Sequence, residues 1–85
     1  MYNLARIYYF GVGKERKISK SISLLERASN KQLYIADLFL FYIFSYCDDK
    51  NFLNENKSQE YQNKYINYII LQNPLYNYYY NFQKN

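Results

Sequence analysis

Apolar positions recur at helical spacing through the first part of the chain. Leu4, Ala5 and Tyr8 fall on one face of a helix predicted over residues 2 to 10, which must stop where Gly11 arrives. After the turn "GVG", Ile18, Ile22, Leu25 and Ala28 recur at three and four residues, predicting an amphipathic helix from Lys17 to Asn30, with Glu26 and Arg27 off the stripe. A short connection, "NKQLY", leads into Ile35 to Tyr46, a run apolar on nearly every side. Strand propensity claims this run, but it is longer than a normal strand, and a helix buried on most faces has the same pattern. It is read as helix.

The stretch "CDDKNFLNENK" is polar and loop-like. Asn56, with Gln59 three residues on, predicts a variant capping box opening a fourth helix, whose stripe is Tyr61, Tyr65, Tyr68 and Ile69. Asn73 and Pro74 close it, because the residue before proline avoids helical geometry. "LYNYYYNFQKN" reads as a further helix start or a tail. The fold class expected is therefore all-α.

Helix, tight turn, helix, link, helix, loop, helix is an order that invites a search for internal similarity. "YNLARIYY" aligns with "ADLFLFYIF" so that Leu4 matches Leu40, Ala5 matches Phe41 and Tyr8 matches Phe44. A third copy aligns Tyr76 with Ala36, the added residues falling in the loop around Asn51 to Asn56. Two helices per unit with a period in the thirties point to an α-solenoid of αα-hairpins, in which neighbouring units cover each other's apolar faces. The units run over residues 1 to 33, 34 to 73 and 74 to 85.

These residues resemble a known family. The positions Leu4 and Ala5, Tyr8, Gly11 and Gly13, Lys20 and Ser21, Ala28 and Ser29, then Ala36 are similar to the pattern of the Sel1-like repeat, a relative of the tetratricopeptide repeat. The likeness covers about residues 2 to 44. Lys17 stands where the family usually caps its second helix with Asp, and the second unit has Tyr46, Cys47 and Asp48 near the place of the glycines. The resemblance implies stacked αα-hairpins and a scaffolding role, and it brings no catalytic residue, because its signature positions are packing positions.

Glycines beside a basic run also raise a phosphate cradle. A dinucleotide loop needs a preceding strand and a third glycine where Arg16 stands, and a Walker loop needs Gly-Lys-Ser/Thr after four residues. Neither is present, so Gly11 is read as a left-handed helix terminator and Gly13 as a second unusual backbone position.

Composition narrows the chemistry further. The 85 residues hold thirteen Tyr and six Phe, one Cys and no His, at a formal charge of +4. A lone Cys47 cannot form an intramolecular disulfide, and without His there is no Cys/His dyad or zinc set to propose. Neither a catalytic residue, a metal site nor a cofactor is expected. Residues 1 to 35 carry seven basic residues against two acids, residues 36 to 60 two against five, and residues 61 to 85 two against none. Such alternation fits segments that stack on one another or on a partner. The N-terminus lacks a basic and then apolar signal pattern, and "LFLFYIFSYC" is too short to span a bilayer, so a reducing, cytoplasmic setting is the localisation expected.

The function expected is a non-enzymatic protein-interaction scaffold, a piece of a longer array, with partner-facing residues Asn3, Arg6, Phe10, Phe39, Tyr42 and Tyr46 on the first and third helices. The alternative is a small basic nucleic-acid binder using Lys14, Arg16, Lys17 and Lys20, with Tyr76, Tyr78, Tyr79 and Tyr80 to stack bases. Asp48 and Asp49 read as solvated charges, Cys47 as packing, and Asp37 as an acid turned to solvent or toward Lys31 or Arg6. The second unit is expected to be looser than residues 3 to 46, and exposed aromatic ends are expected to favour self-association.

Overall fold

The computed structural model describes residues 2 to 72. These are all-helical: α1 (Tyr2–Phe10), α2 (Ile18–Asn30), α3 (Tyr34–Tyr46) and α4 (Glu55–Gln72), with one 3-10 turn (Lys50–Phe52) and, among the described residues, no strand. Each α-helix packs on the next, α1 on α2, α2 on α3 and α3 on α4. The proposed start of a third unit lies outside the described residues.

Local chemistry explains the first hairpin. α1 ends because Gly11 takes φ 71° and Gly13 φ 70°, a backbone region that costs glycine little and other residues more. Three of the orphan carbonyls of its last turn find donors. Ile7 accepts from the Gly11 N–H (2.8 Å), Tyr8 from the Lys17 N–H (2.8 Å) and Tyr9 from Arg16 Nε (2.6 Å). α2 starts at Lys17 without a side-chain cap. Its buried stripe, Ile18, Ser21, Leu25, Ala28 and Ser29, contains three small residues, and these let neighbouring backbones approach. Ser21 is fully buried, and its hydroxyl donates to the Ala5 carbonyl at 2.8 Å.

α2 ends in a Schellman motif. Gln32 N–H bonds to the Ser29 carbonyl (2.9 Å) and Leu33 N–H to the Ala28 carbonyl (3.1 Å), with Gln32 held at φ 63°. Glutamine is an unusual occupant of that position, and glycine would take it with less strain.

The second hairpin repeats the backbone bonds of the first with different side chains. The Phe44 carbonyl accepts from the Asn54 N–H (2.9 Å), as Tyr8 does from Lys17. The Asn54 carbonyl accepts from the Ser58 N–H, as Lys17 does from Ser21. Here the loop is shaped by caps: Asp49 accepts from the Asn51 N–H (3.0 Å), and Asn54 Oδ1 accepts from the Lys57 N–H (3.1 Å). The cap of α4 is thus Asn54, two residues before the expected Asn56, because Asn54 lies where the chain turns back from Phe44.

The core runs along the seam between helices and includes Ala5, Tyr9, Leu25, Ala36, Leu40, Ile43, Phe44 and Tyr61. Leu25, Leu40 and Ile43 are fully buried, each worth roughly 1.5–3 kcal/mol of transfer free energy. Two expectations need correction. Of the expected stripe Leu4, Ala5 and Tyr8, α1 buries Ala5, and it buries Tyr9 in place of Leu4 and Tyr8, because α1 meets α3 through Phe39 as well as α2 through Ala5. Asp37 faces neither solvent nor Lys31 or Arg6. It is buried, accepts a hydrogen bond from the Ser29 hydroxyl, and has Lys64 Nζ at 3.7 Å, while Lys64 also donates to Ser29 Oγ at 2.6 Å. A buried carboxylate must be paired, and this trio ties α2, α3 and α4 at one point. Among the described residues no helix is long and apolar enough to cross a membrane.

Candidate functional site

The six residues expected to face a partner do not behave alike. Phe10, Phe39, Tyr42 and Tyr46 come together on the side of the molecule where α1 and α3 meet. Phe39 is the centre of this cluster. It meets Tyr2 (6.0 Å between ring centroids), Tyr9 (5.4 Å), Phe10 (6.1 Å) and Tyr42 (6.2 Å), all edge to face, the preferred arrangement for aromatic quadrupoles. Phe39 is therefore half-buried and structural. Phe10, Tyr42 and Tyr46 keep 56%, 47% and 66% of their surface exposed. Asn3 and Arg6 are exposed on α1, and Arg6 lies over the Tyr2 ring at 6.0 Å.

Two hollows open between these rings. One, about 180 Å³, is lined by Tyr2, Phe10, Ile35, Leu38, Phe39 and Tyr42 and is almost wholly apolar. The other, about 340 Å³, is lined by Tyr9, Phe10, Arg16, Tyr42, Tyr46 and Asp48.

The ion pair beside the second hollow went unseen in the sequence, because its members lie 32 residues apart. Arg16 binds Asp48 through both terminal nitrogens, at 2.9 and 2.7 Å, and its guanidinium also covers the Tyr9 ring at 4.9 Å. This fork geometry is the strong form of an Arg–carboxylate contact. It holds the Asp48 carboxyl well below its ordinary range, at about 2, and raises the Arg16 guanidinium further. Asp48 is thus no free charge; it joins the turn of the first hairpin to the turn of the second. Burial, with Cys47 beside it, pushes the Tyr9 hydroxyl above its ordinary range.

The basic run is divided by the same contacts. Arg16 is committed to Asp48 and Tyr9, and the Lys14 and Lys20 ammonium groups sit over the Tyr8 ring at 5.6 and 4.9 Å. Lys17 is exposed at the start of α2. The tyrosines at 76, 78, 79 and 80 lie outside the described residues. On α4, Tyr61 is buried against Phe44 in a stacked pair at 6.0 Å, and burial together with Glu26 pushes its hydroxyl up to about 12. Among the described residues no group of three His, Cys, Asp or Glu side chains could hold a metal ion.

Comparison of the chain with models of known families, with curated proteins and with solved structures found no match.

Proposed function

We propose that the chain is a non-enzymatic protein-interaction module of two Sel1-like αα-hairpins, with its partner surface on the side carried by α1 and α3. One observation carries this reading. Phe10, Tyr42 and Tyr46 gather on one face as large, exposed rings held in place by a half-buried Phe39. Contiguous exposed aromatic surface marks an interaction site, since such rings give up much apolar area at low entropic cost when covered. Support for the repeat reading comes from the backbone. The Tyr8 and Lys17 bond recurs as Phe44 and Asn54, and Gly11 and Gly13 take the left-handed conformations that a GxG turn between paired helices requires.

Recovery of binding proteins with the full chain as bait tests it, comparing the native sequence with a Phe10→Ser, Tyr42→Ser, Tyr46→Ser variant shown to remain helical by circular dichroism. Loss of a reproducible partner in the variant is the expected result. Unchanged recovery contradicts the assignment of this face.

A further inference from the structure

The backbone bonds shared by the two hairpins match Tyr8 with Phe44, Lys17 with Asn54 and Ser21 with Ser58. Carried along the helices, the same correspondence matches Tyr2, Tyr9 and Phe10 of α1 with Leu38, Ser45 and Tyr46 of α3, and Arg16 and Ser29 with Leu53 and Ile66. In the first hairpin these residues hold the second. Tyr2, Tyr9 and Phe10 surround Phe39, Arg16 pairs with Asp48, and Ser29 donates to Asp37. Their counterparts are left open: Leu38, Tyr46, Leu53 and Ile66 keep 37%, 66%, 42% and 43% of their surface exposed. A hollow of about 420 Å³ lies at one end of this face, between Ser45, Tyr46, Leu53 and Glu55.

The open face differs from its model in polarity. Leu53 stands where Arg16 would take a carboxylate, and Ile66 where Ser29 would donate to one. An occupant with acids at those places would bury them unpaired, so an uncharged, apolar segment fits best. The chain continues past α4 through residues 73 to 85, outside the described residues, and residues 74 to 82, "PLYNYYYNF", carry no charge. With Tyr76 aligned on Ala36, the residue in the place of Asp37 is Asn77 and the one in the place of Phe39 is Tyr79. The point of departure also suits. The last turns of α4 lie beside the start of α3, where Tyr68 stacks on Tyr34 at 4.4 Å, so the chain leaves α4 at the end of the stack from which α3 itself sets out.

We propose that residues 75 to 82 dock on this face as α3 docks on α1 and α2, with Tyr79 against Leu38 and Tyr46 in the way Phe39 lies against Tyr2 and Phe10, an inference that rests on reading the hairpins as repeats. Eight residues at a helical rise of ~1.5 Å span about 12 Å, the length of α3 from Leu38 to Tyr46. Docking of this kind leaves the partner face open. Phe10 is 56% exposed although it meets Phe39, and Tyr46, its counterpart, stays accessible beside Tyr79 in the same way.

Maleimide labelling of the full chain tests this, with Leu38→Cys on the covered face and Leu4→Cys, a position of matching exposure on α1, as reference; the natural Cys47 is buried. Leu38→Cys should label at least about 10-fold more slowly than Leu4→Cys, as a site that reacts only when its cover opens. Adding Tyr79→Asp should bring the two rates together by speeding Leu38→Cys alone, the unchanged Leu4→Cys rate showing that the first hairpin stays folded. In a second arm, Leu38→Cys with Tyr79→Cys and a short bifunctional maleimide should give a crosslink at monomer mass whose yield does not depend on protein concentration. Equal labelling of Leu38→Cys and Leu4→Cys in the native background, or protection that Tyr79→Asp leaves unchanged, would overturn the proposal. A crosslink found only at dimer mass and rising with concentration would also overturn it, and would give the face to a second copy of the chain. No cellular partner enters either arm, so their failure is separate from a failure of partner recovery.

Discussion

The two hairpin turns, residues 11 to 17 and 47 to 54, do the same job with different chemistry. In both, a carbonyl in the last turn of one helix accepts from the backbone of the residue just ahead of the next, Tyr8 from Lys17 and Phe44 from Asn54. The first turn reaches that geometry through two left-handed glycines and leaves α2 without a side-chain cap. The second has neither glycine and is held by Asp49, Asn54 and a 3-10 turn. Conformational freedom and specific capping are interchangeable means to one backbone path, so a helical hairpin can turn with or without glycines. The Arg16–Asp48 fork then joins the two turns across the face that the aromatic cluster occupies.

Substitutions at the turns should separate the two mechanisms. Gly11→Ala has the largest expected effect, a loss of about 2–3 kcal/mol in urea unfolding. The left-handed conformation costs alanine roughly 1–2 kcal/mol, and its Cβ would meet Arg16 Cβ at 3.2 Å and the Lys14 carbonyl at 3.3 Å. Gly13→Ala has the same backbone strain with open space around it, so its loss should stay near 1 kcal/mol. Equal losses at the two glycines would show that the contact with Arg16 is irrelevant.

At the capped turn, Asn54→Ala should lose about 1 kcal/mol, and at the glycine turn Lys17→Asp should gain a comparable amount by supplying the cap that α2 lacks. Chemical denaturation of both variants checks the pair. No gain from Lys17→Asp would mean that the first turn cannot use a cap.

The smallest effects come from pH, and they too differ between the hairpins. Asp48 is held below its ordinary value, so its contribution is present above about pH 4 and is lost as pH falls toward 2. With the pair exposed, the change should be small and should vanish in Asp48→Asn. Tyr61 in α4 is raised, so its contribution is intact below pH 10 and is lost as pH rises toward 12. Thermal unfolding across both ranges, with Tyr61→Phe as the second control, reads the two ends of the scale.

Much of the helix plan is legible in the residues themselves. Gly11 announces the end of α1, the three- and four-residue spacing of Ile18, Ile22, Leu25 and Ala28 announces α2, and the length of the run after Ile35 separates helix from strand. Side-chain pairing is a different matter, since it is set by tertiary neighbours. Asp37 finds Ser29 on α2 and Lys64 on α4, and nothing in the local pattern around Asp37 marks either partner. The one-residue shift from Tyr8 to Tyr9 has the same origin. Spacing fixes which residues share a face, but the neighbour, here Phe39, decides how that face is turned. The exposure of Phe10, Tyr42 and Tyr46, the larger members of the proposed partner-facing set, follows from their being left over from hairpin packing, whereas the Arg16–Asp48 fork beside them had no local signal.

The central claim is that binding belongs to the face of α1 and α3 and not to α2 and α4. Site-specific photocrosslinking in cells tests it most directly, with a photoreactive phenylalanine placed at Phe10 or Tyr46 on that face, or at the exposed Ser23 of α2 or Gln62 of α4. The account predicts a discrete protein adduct from Phe10 and Tyr46 and none from Ser23 and Gln62. Adducts arising equally from all four positions, or only from Ser23 and Gln62, would contradict it.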